Sequence, residues 1–249
     1  MFSGEAELFL TRPLVCAVDG THSAGKTTIV EGLNEEGKVH ELLDENLLYD
    51  DIGYGMVDLP GVNKHTPSIY VPEAARWAAD YSGDPELLGE KWNLAFQLQL
   101  TDKYKLRIQA AAGLAAPVMR QLIANRPELS AEDLTRPLIL ADRSGLDGLA
   151  YTRLRSNLSN TEVIGGFPTE KFAREWVAHY VDLVLLSDYD EIPFELDPAR
   201  SSDQELRKSI AREIAADYYA TLPPERIQTL HGDPEQRQNE LLQFIAQHI

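Results

Sequence analysis

Eight residues near the start of the chain, Gly20-Thr21-His22-Ser23-Ala24-Gly25-Lys26-Thr27, match the spacing G-x-x-x-x-G-K-[ST]. These residue types suit a polyphosphate. A glycine-containing turn lets backbone N–H groups point inward at phosphate oxygens, and a helix that begins there adds the positive end of its dipole. On this reading Gly20, Thr21, His22, Ser23, Ala24, Gly25, Lys26, Thr27 and Thr28 cradle a nucleotide. Lys26 reaches its β- and γ-phosphates, and the Thr27 hydroxyl ligates Mg²⁺. The His22 side chain reads as a solvent-facing filler of the loop rather than a reactive group.

Two further clusters combine acids with arginine: Val71-Pro72-Glu73-Ala74-Ala75-Arg76, and Asp142-Arg143-Ser144-Gly145-Leu146-Asp147 with Gly148-Leu149-Ala150-Tyr151 behind it. Phosphoryl transfer to a hydroxyl needs a carboxylate that holds or deprotonates the acceptor, and cations that neutralise charge on the transferred group. Glu73 suits the first role, Arg76 and Arg143 suit the second, and Asp142 is placed to hold Mg²⁺ directly or through water. Downstream, Asp197-Pro198-Ala199-Arg200 leads into a stretch with Arg207, Lys208 and Arg212. This concentration of cations in 197–212 is expected either to form a closing lid that brings Arg200 to the phosphoryl group or to be the solvated basic face of a helix.

Those residues need a scaffold that holds them together, and the flanking pattern supplies one. Leu14 to Val18 is a short apolar run ending at Asp19-Gly20, as expected of a buried parallel strand, with Cys16 inside it as a small hydrophobe. Ser68 to Val71, Leu138 to Ala141, Val181 to Leu186 and Arg226 to Leu230 read the same way. Helical stretches lie between them: Ala24 to Leu33, a long one from near Leu87 to about Ile123 interrupted at Gly113 and Pro117, Asp203 to Tyr219, and Pro234 to Ile249. Leu206, Ile210 and Ile214 carry the i, i+4 spacing of a core-facing stripe. Alternating strand and helix predicts an α/β fold of right-handed crossovers, with a five-stranded parallel sheet, helices on both faces and ligands beyond the carboxyl ends of the strands. Residues 1–249 then form a single domain. Residues 34–66 are an acidic, glycine-containing connection, expected to be a surface loop, an insertion or a mobile flap.

Composition narrows the function classes. With 43% hydrophobic and 25% charged residues, the chain can bury a sizeable core and is not globally disordered. Its formal charge of −17 opposes binding to nucleic acid or anionic lipid. One cysteine excludes a disulfide framework and a cysteine zinc site, which favours a reducing, cytoplasmic setting. Glu5 and Glu7 stand where a secretion signal would be basic, and no apolar run is long enough to span a membrane. The few cations, Lys26, Arg76, Arg143, Arg200 and Arg207, gather near strand ends and the lid, so a locally positive cleft is expected in an acidic protein.

The order of the motifs is itself specific. The glycine motif, then Val-Pro-Glu-Ala-Ala-Arg, then Asp-Arg-x-x-x-Asp-x-x-Ala-Tyr, then Asp-Pro-x-Arg and a helix ending in Tyr218-Tyr219, resembles the NadR-like family of P-loop kinases, whose best-known member domain phosphorylates nicotinamide riboside. More broadly it looks like the nucleoside and thymidylate kinase group. The resemblance covers most of the chain outside residues 34–66, and it implies a P-loop NTPase three-layer sandwich, ATP, Mg²⁺ and a glutamate base at Glu73. It also implies that Gln97 or Gln99 contacts the substrate while Trp92 or Phe96 stacks on it; on their own, these four residues read as helix core. The sequence departs from the family at Ser144, where many members have glycine, and in the insertion.

The leading expectation is thus an ATP- and Mg²⁺-dependent phosphotransferase acting on a nucleoside, nucleotide or similar hydroxylated metabolite. Two other readings stay open. Met56 and Val57 precede Asp58-Leu59-Pro60-Gly61, a D-x-x-G element 32 residues after Lys26 of the kind GTPases use to sense γ-phosphate. An N/T-K-x-D guanine reader is missing, because Asn63-Lys64-His65 lacks the aspartate. The third reading is a regulatory module that binds ATP without an acceptor. The sequence leaves the oligomeric state open.

Overall fold

The computed structural model describes residues 11–20, 35–39, 51–75, 94–155, 169–187 and 204–249. In chain order these form β1 (Leu14–Asp19), β2 (Glu35–Lys38), β3 (Gly53–Val57), β4 (Thr66–Val71), α1 (Leu94–Asn125), β5 (Leu138–Asp142), α2 (Asp147–Arg155), α3 (Thr169–Tyr180), β6 (Leu183–Ser187), α4 (Gln204–Tyr219), β7 (Ile227–Leu230) and α5 (Pro234–Ala246). The sheet runs β2-β3-β4-β5-β1-β6-β7. Its last five members are mutually parallel.

The inner strands β1, β5 and β6 are apolar along almost their whole length because both faces are covered. Val15 and Ala17 of β1, with Ile139, Ala141, Val184 and Leu186, pack on one side against Ile108 and Met119 of α1, Trp176 of α3 and Ile210, Ile214 and Tyr218 of α4. The alternate residues Leu14, Cys16 and Val18, with Leu138, Leu140, Leu183, Leu185 and Leu230, pack on the other side against Leu241, Phe244 and Ile245 of α5. Period-two alternation thus feeds two cores rather than one core and solvent. Cys16 is fully buried, and that burial raises its thiol pKa. With β1 in the middle of the five parallel strands and helices on both faces, this is a three-layer α/β sandwich.

The sheet has seven strands where five were expected, and the difference lies in residues 34–66. Instead of only looping, this segment contributes β2 and β3, which add antiparallel to the outer side of β4. Its glycines allow close packing: a Cβ on Gly37 would lie 2.7 Å from the Tyr54 hydroxyl, so only glycine lets β2 pass that ring. The interruptions expected in the long helix are also absent. Helix α1 continues through Gly113 and Pro117. The carbonyl that a proline at 117 crowds belongs to residue 113, an exposed glycine facing open space that relaxes cheaply. The buried Ala111, Ala115, Val118 and Leu122 meanwhile hold the helix on the core.

Candidate active site

Register brings three chain turns to one edge of the sheet. Val18 pairs with Asp142 across β1 and β5, and Val71 pairs with Ala141 across β4 and β5. The residues that follow, Asp19-Gly20, Glu73 and Arg143, therefore meet beyond the carboxyl ends, where open α/β sheets bind ligands.

Arg143 is the centre of this meeting. It leaves β5 in a left-handed conformation, φ 84°, with its backbone N–H on the carbonyl of Val18 at 3.0 Å. A non-glycine residue held there costs on the order of 1–3 kcal/mol, a cost the surrounding network overrides. Its Nε donates to Glu73 Oε1 at 2.9 Å, and its Nη1 donates to the Gly20 carbonyl at 3.0 Å and to Asp147 Oδ2 at 2.5 Å. Asp19 Oδ1 stands 3.7 Å from the same Nη1, and the guanidinium lies 5.7 Å from the centroid of the Tyr151 ring. The side chain is only 3% exposed, so its first task is to tie the glutamate, the aspartates and the entrance of the glycine motif together.

A second chain of hydrogen bonds enters from α4. The Leu146 N–H donates to Ser144 Oγ at 3.2 Å, Ser144 bonds Tyr218 Oη, and the Tyr218 hydroxyl donates to Asp19 Oδ2. Asp19 Oδ1 accepts the Gly20 N–H at 2.8 Å. Burial, and next the charge of Asp147, push the Asp19 carboxyl up to about 7 against the pull of Arg143, Tyr218 and the Gly20 N–H. Tyr104 of α1 faces the same group, and burial and the Glu73 charge raise its pKa.

On the opposite flank, a Cβ on Gly20 would lie 3.3 Å from Ser187 Cβ at the end of β6, and Gly20 itself has φ 145°. The buried Arg237 of α5 bonds Ser187 Oγ at 3.2 Å and the Gly232 carbonyl at 2.7 Å. The turn His231 to Pro234, capped by Asp233, is therefore fixed on the same edge as the glycine motif.

Several expected site residues are brought together and others are not. Glu73, Asp142, Arg143 and Gly20 converge. Gln97 is buried against the start of α2, where a Cβ on Gly148 would meet its Nε2 at 2.7 Å. Phe96 packs with Ala74, Ala75, Leu100 and Tyr104, whereas Gln99 is exposed on the far side of the helix. Lys26 and the rest of Thr21 to Thr28, with Arg76, Trp92 and Arg200, lie outside the described residues, as do residues 197–203 of the segment read as a lid. Residues 204–212 form the start of α4, with Arg207 and Ile210 buried in it.

One expectation is corrected. Asp58 follows β3, which runs antiparallel to β4, so it emerges beside Thr66 at the amino end of β4. That is about 16 Å of strand away from the Glu73 edge. There it is exposed and bonds His65 at 3.0 Å, so Asp58 to Gly61 is not a γ-phosphate sensor and the GTPase reading loses its element. Among the described residues Asp19, Glu73 and Asp147 surround the guanidinium of Arg143, while Lys26, Arg76 and Arg200, three of the other cations expected in the cleft, lie outside them. These carboxylates suit a cation: their oxygens are hard donors, and Mg²⁺ is held by one or two of them together with phosphates.

Asp19, Ser144, Asp147 and Tyr218 complete the network without having been singled out in the sequence as site residues. Asp147 stands four residues from Arg143 on the first turn of α2, a spacing that signals a pair. Tyr218 entered the sequence reading only as the end of a motif-bearing helix, and nothing local pairs it with Asp19, 199 residues away.

No family model and no curated protein matches this sequence. Solved structures similar to it include a NadR protein in complex with NR, with TM-score 0.49 and 14% identity over 98% of this chain and 53% of that one. Another is thymidylate kinase from Candida albicans, with TM-score 0.48 and 13% identity over 95% and 92%. The chain spans about half the length of the NadR chain.

Proposed function

We propose that this protein is an ATP- and Mg²⁺-dependent kinase of the NadR-like and nucleoside kinase group, transferring the γ-phosphoryl of ATP to a nucleoside, nucleotide or similar hydroxylated metabolite in a cytoplasmic setting. The observation that carries this reading is Glu73 fixed 2.9 Å from Arg143 on the edge where the glycine motif begins. A carboxylate so held is placed to orient an acceptor hydroxyl and take its proton.

In the proposed step a bond forms between the acceptor oxygen and the γ-phosphorus. The bond from that phosphorus to the β–γ bridging oxygen breaks, ADP leaves with the electron pair, and the acceptor proton passes to Glu73. The backbone from Gly20 to Thr28 would hold the ATP phosphates, Lys26 would reach the β- and γ-groups, and Thr27 and Asp142 would hold Mg²⁺, which would offset charge on the phosphates. Arg143 positions Glu73 and the loop entrance. Arg76, and Arg200 on a lid formed by 197–212, stabilise charge on the transferred group. The base of the acceptor lies against Gln97, with Phe96 and Trp92 beside it, and adenine rests on His231 to Pro234.

A phosphotransfer screen against nucleosides, nucleotides and vitamins tests the reading, with Lys26→Ala as the control that loses both ATP binding and transfer. Tight ATP binding by the wild-type chain with no transfer to any acceptor would favour an ATP-sensing module instead. Retained ATP affinity in Lys26→Ala would overturn the glycine-motif assignment.

A further inference from the structure

A second arginine on the acceptor side has no role in the network above. Arg107 of α1 is 4% exposed, and its Nη2 bonds Asp51 Oδ1 at 2.8 Å. Among the described residues its Nε and Nη1 are buried without any hydrogen-bond partner. Two sealed donors on one permanent charge are costly, and such groups ask for an acceptor that is not yet in place.

The position of Arg107 says which ligand would supply it. Asp51 precedes β3, and Gly53 pairs with Tyr70 near the carboxyl end of β4, three residues before Glu73. The Arg107–Asp51 pair therefore stands at the catalytic edge, on the outer flank of Glu73. One turn back on α1, Tyr104 already feels the charges of Glu73 and Arg143, and residues three apart are neighbours on a helix surface. Lys103, four residues before Arg107, is close enough for the guanidinium to lower its pKa, after the effect of its own burial. The His231 to Pro234 turn lies across the sheet, beyond β1 and β6, some 24 Å of strand spacings from β3. The flank carrying Arg107 is thus the acceptor's rather than the nucleotide's.

We infer that Arg107, with Lys103 beside it, forms an anion subsite for the acceptor, so that the preferred acceptor carries a phosphate or carboxylate group besides the hydroxyl or phosphate that receives the γ-phosphoryl. This rests on the kinase reading for its use in catalysis, but its binding is measurable without ATP. Asp51 competes with the ligand for the guanidinium and sets how readily the anion enters.

The test uses the full-length chain without ATP and four probes: a nucleoside, its 5′-monophosphate, its 5′-carboxylate and inorganic phosphate. Thermal shifts and equilibrium titration read binding, and the ratio of kcat/KM for anionic over neutral acceptors reads use. The monophosphate or the carboxylate should bind better than the nucleoside, and which of the two binds better identifies the anion. Arg107→Met should lower that preference about tenfold to a hundredfold, the span expected of a charged hydrogen bond. Asp51→Asn should raise it, and Arg107→Lys should recover part of it. Arg120→Met, on the exposed side of the same helix, is the control. A merely structural ion pair would lower stability in both the Arg107 and Asp51 variants and leave the preference alone, which would overturn the inference even while transfer to neutral acceptors upholds the kinase. Anion binding that depends on Arg107 in a chain without transferase activity would sustain the subsite and remove the kinase reading.

Discussion

The two edges of this sheet use the same residue types and do opposite things with them. At the amino edge Arg12 meets Asp182 at 3.2 Å and His65 meets Asp58 at 3.0 Å, with every partner at least 26% exposed. At the carboxyl edge Arg143 meets Glu73 and Asp147 at 2.9 and 2.5 Å with every partner at most 10% exposed. Exposed pairs contribute little because water already solvates both charges. Buried ones demand that each charge be matched, because desolvation exceeds what a poorly placed partner returns. A fold gains nothing in stability from gathering three carboxylates around one guanidinium inside. Such a cluster, with its perturbed groups, is the kind of place where functional sites concentrate, and it is the edge on which the proposed function rests.

The comparison predicts a hierarchy of effects. Replacing Glu73 with Gln should reduce the rate of transfer by about 10²–10⁴-fold, the range of a lost general base, with ATP affinity unchanged; turnover within twofold of wild type would remove Glu73 from its role. Arg143→Met strands buried carboxylates and should cost about 3–5 kcal/mol of stability, measured by denaturant unfolding in the absence of ligand.

Asp19 predicts a pH effect. Its ordinary value is 3.8 and its folded value about 7, so the folded state holds the proton more tightly. That stabilising contribution is complete below pH 3.8 and is lost as pH rises through about 7. Melting temperature should therefore fall over this window in the wild type relative to Asp19→Asn, and parallel profiles would contradict the burial argument. At the other edge, Asp58→Ala should leave melting temperature and turnover where they were. A loss as large as that of Arg143→Met would erase the distinction between the edges.

Much of this was legible in the chain, for reasons that differ by element. The five parallel strands could be read because burial on both faces leaves apolar runs that end sharply at Asp19, Asp142 or Ser187. The antiparallel pair β2 and β3 could not be read: Glu35-Glu36-Gly37-Lys38 is short and polar, and Gly53 to Val57 owes its place to Tyr54 fitting over Gly37. Asp58 shows the limit most plainly. Its D-x-x-G spacing matches a phosphate sensor, yet the motif has no means of stating which way its strand runs.

The sequence by itself determined the glycine motif, the α/β alternation, and the presence of Glu73, Asp142 and Arg143 at strand ends, because each is written in neighbouring residues. The tertiary structure alone decided that Asp58 faces away, that Asp19 and Tyr218 share a proton-bearing contact across 199 residues, and that Arg107, paired with Asp51, stands on the Glu73 side of the sheet with Nε and Nη1 unmatched among the described residues. Strand direction and the company of a buried side chain depend on where distant segments cross, and only packing fixes those crossings.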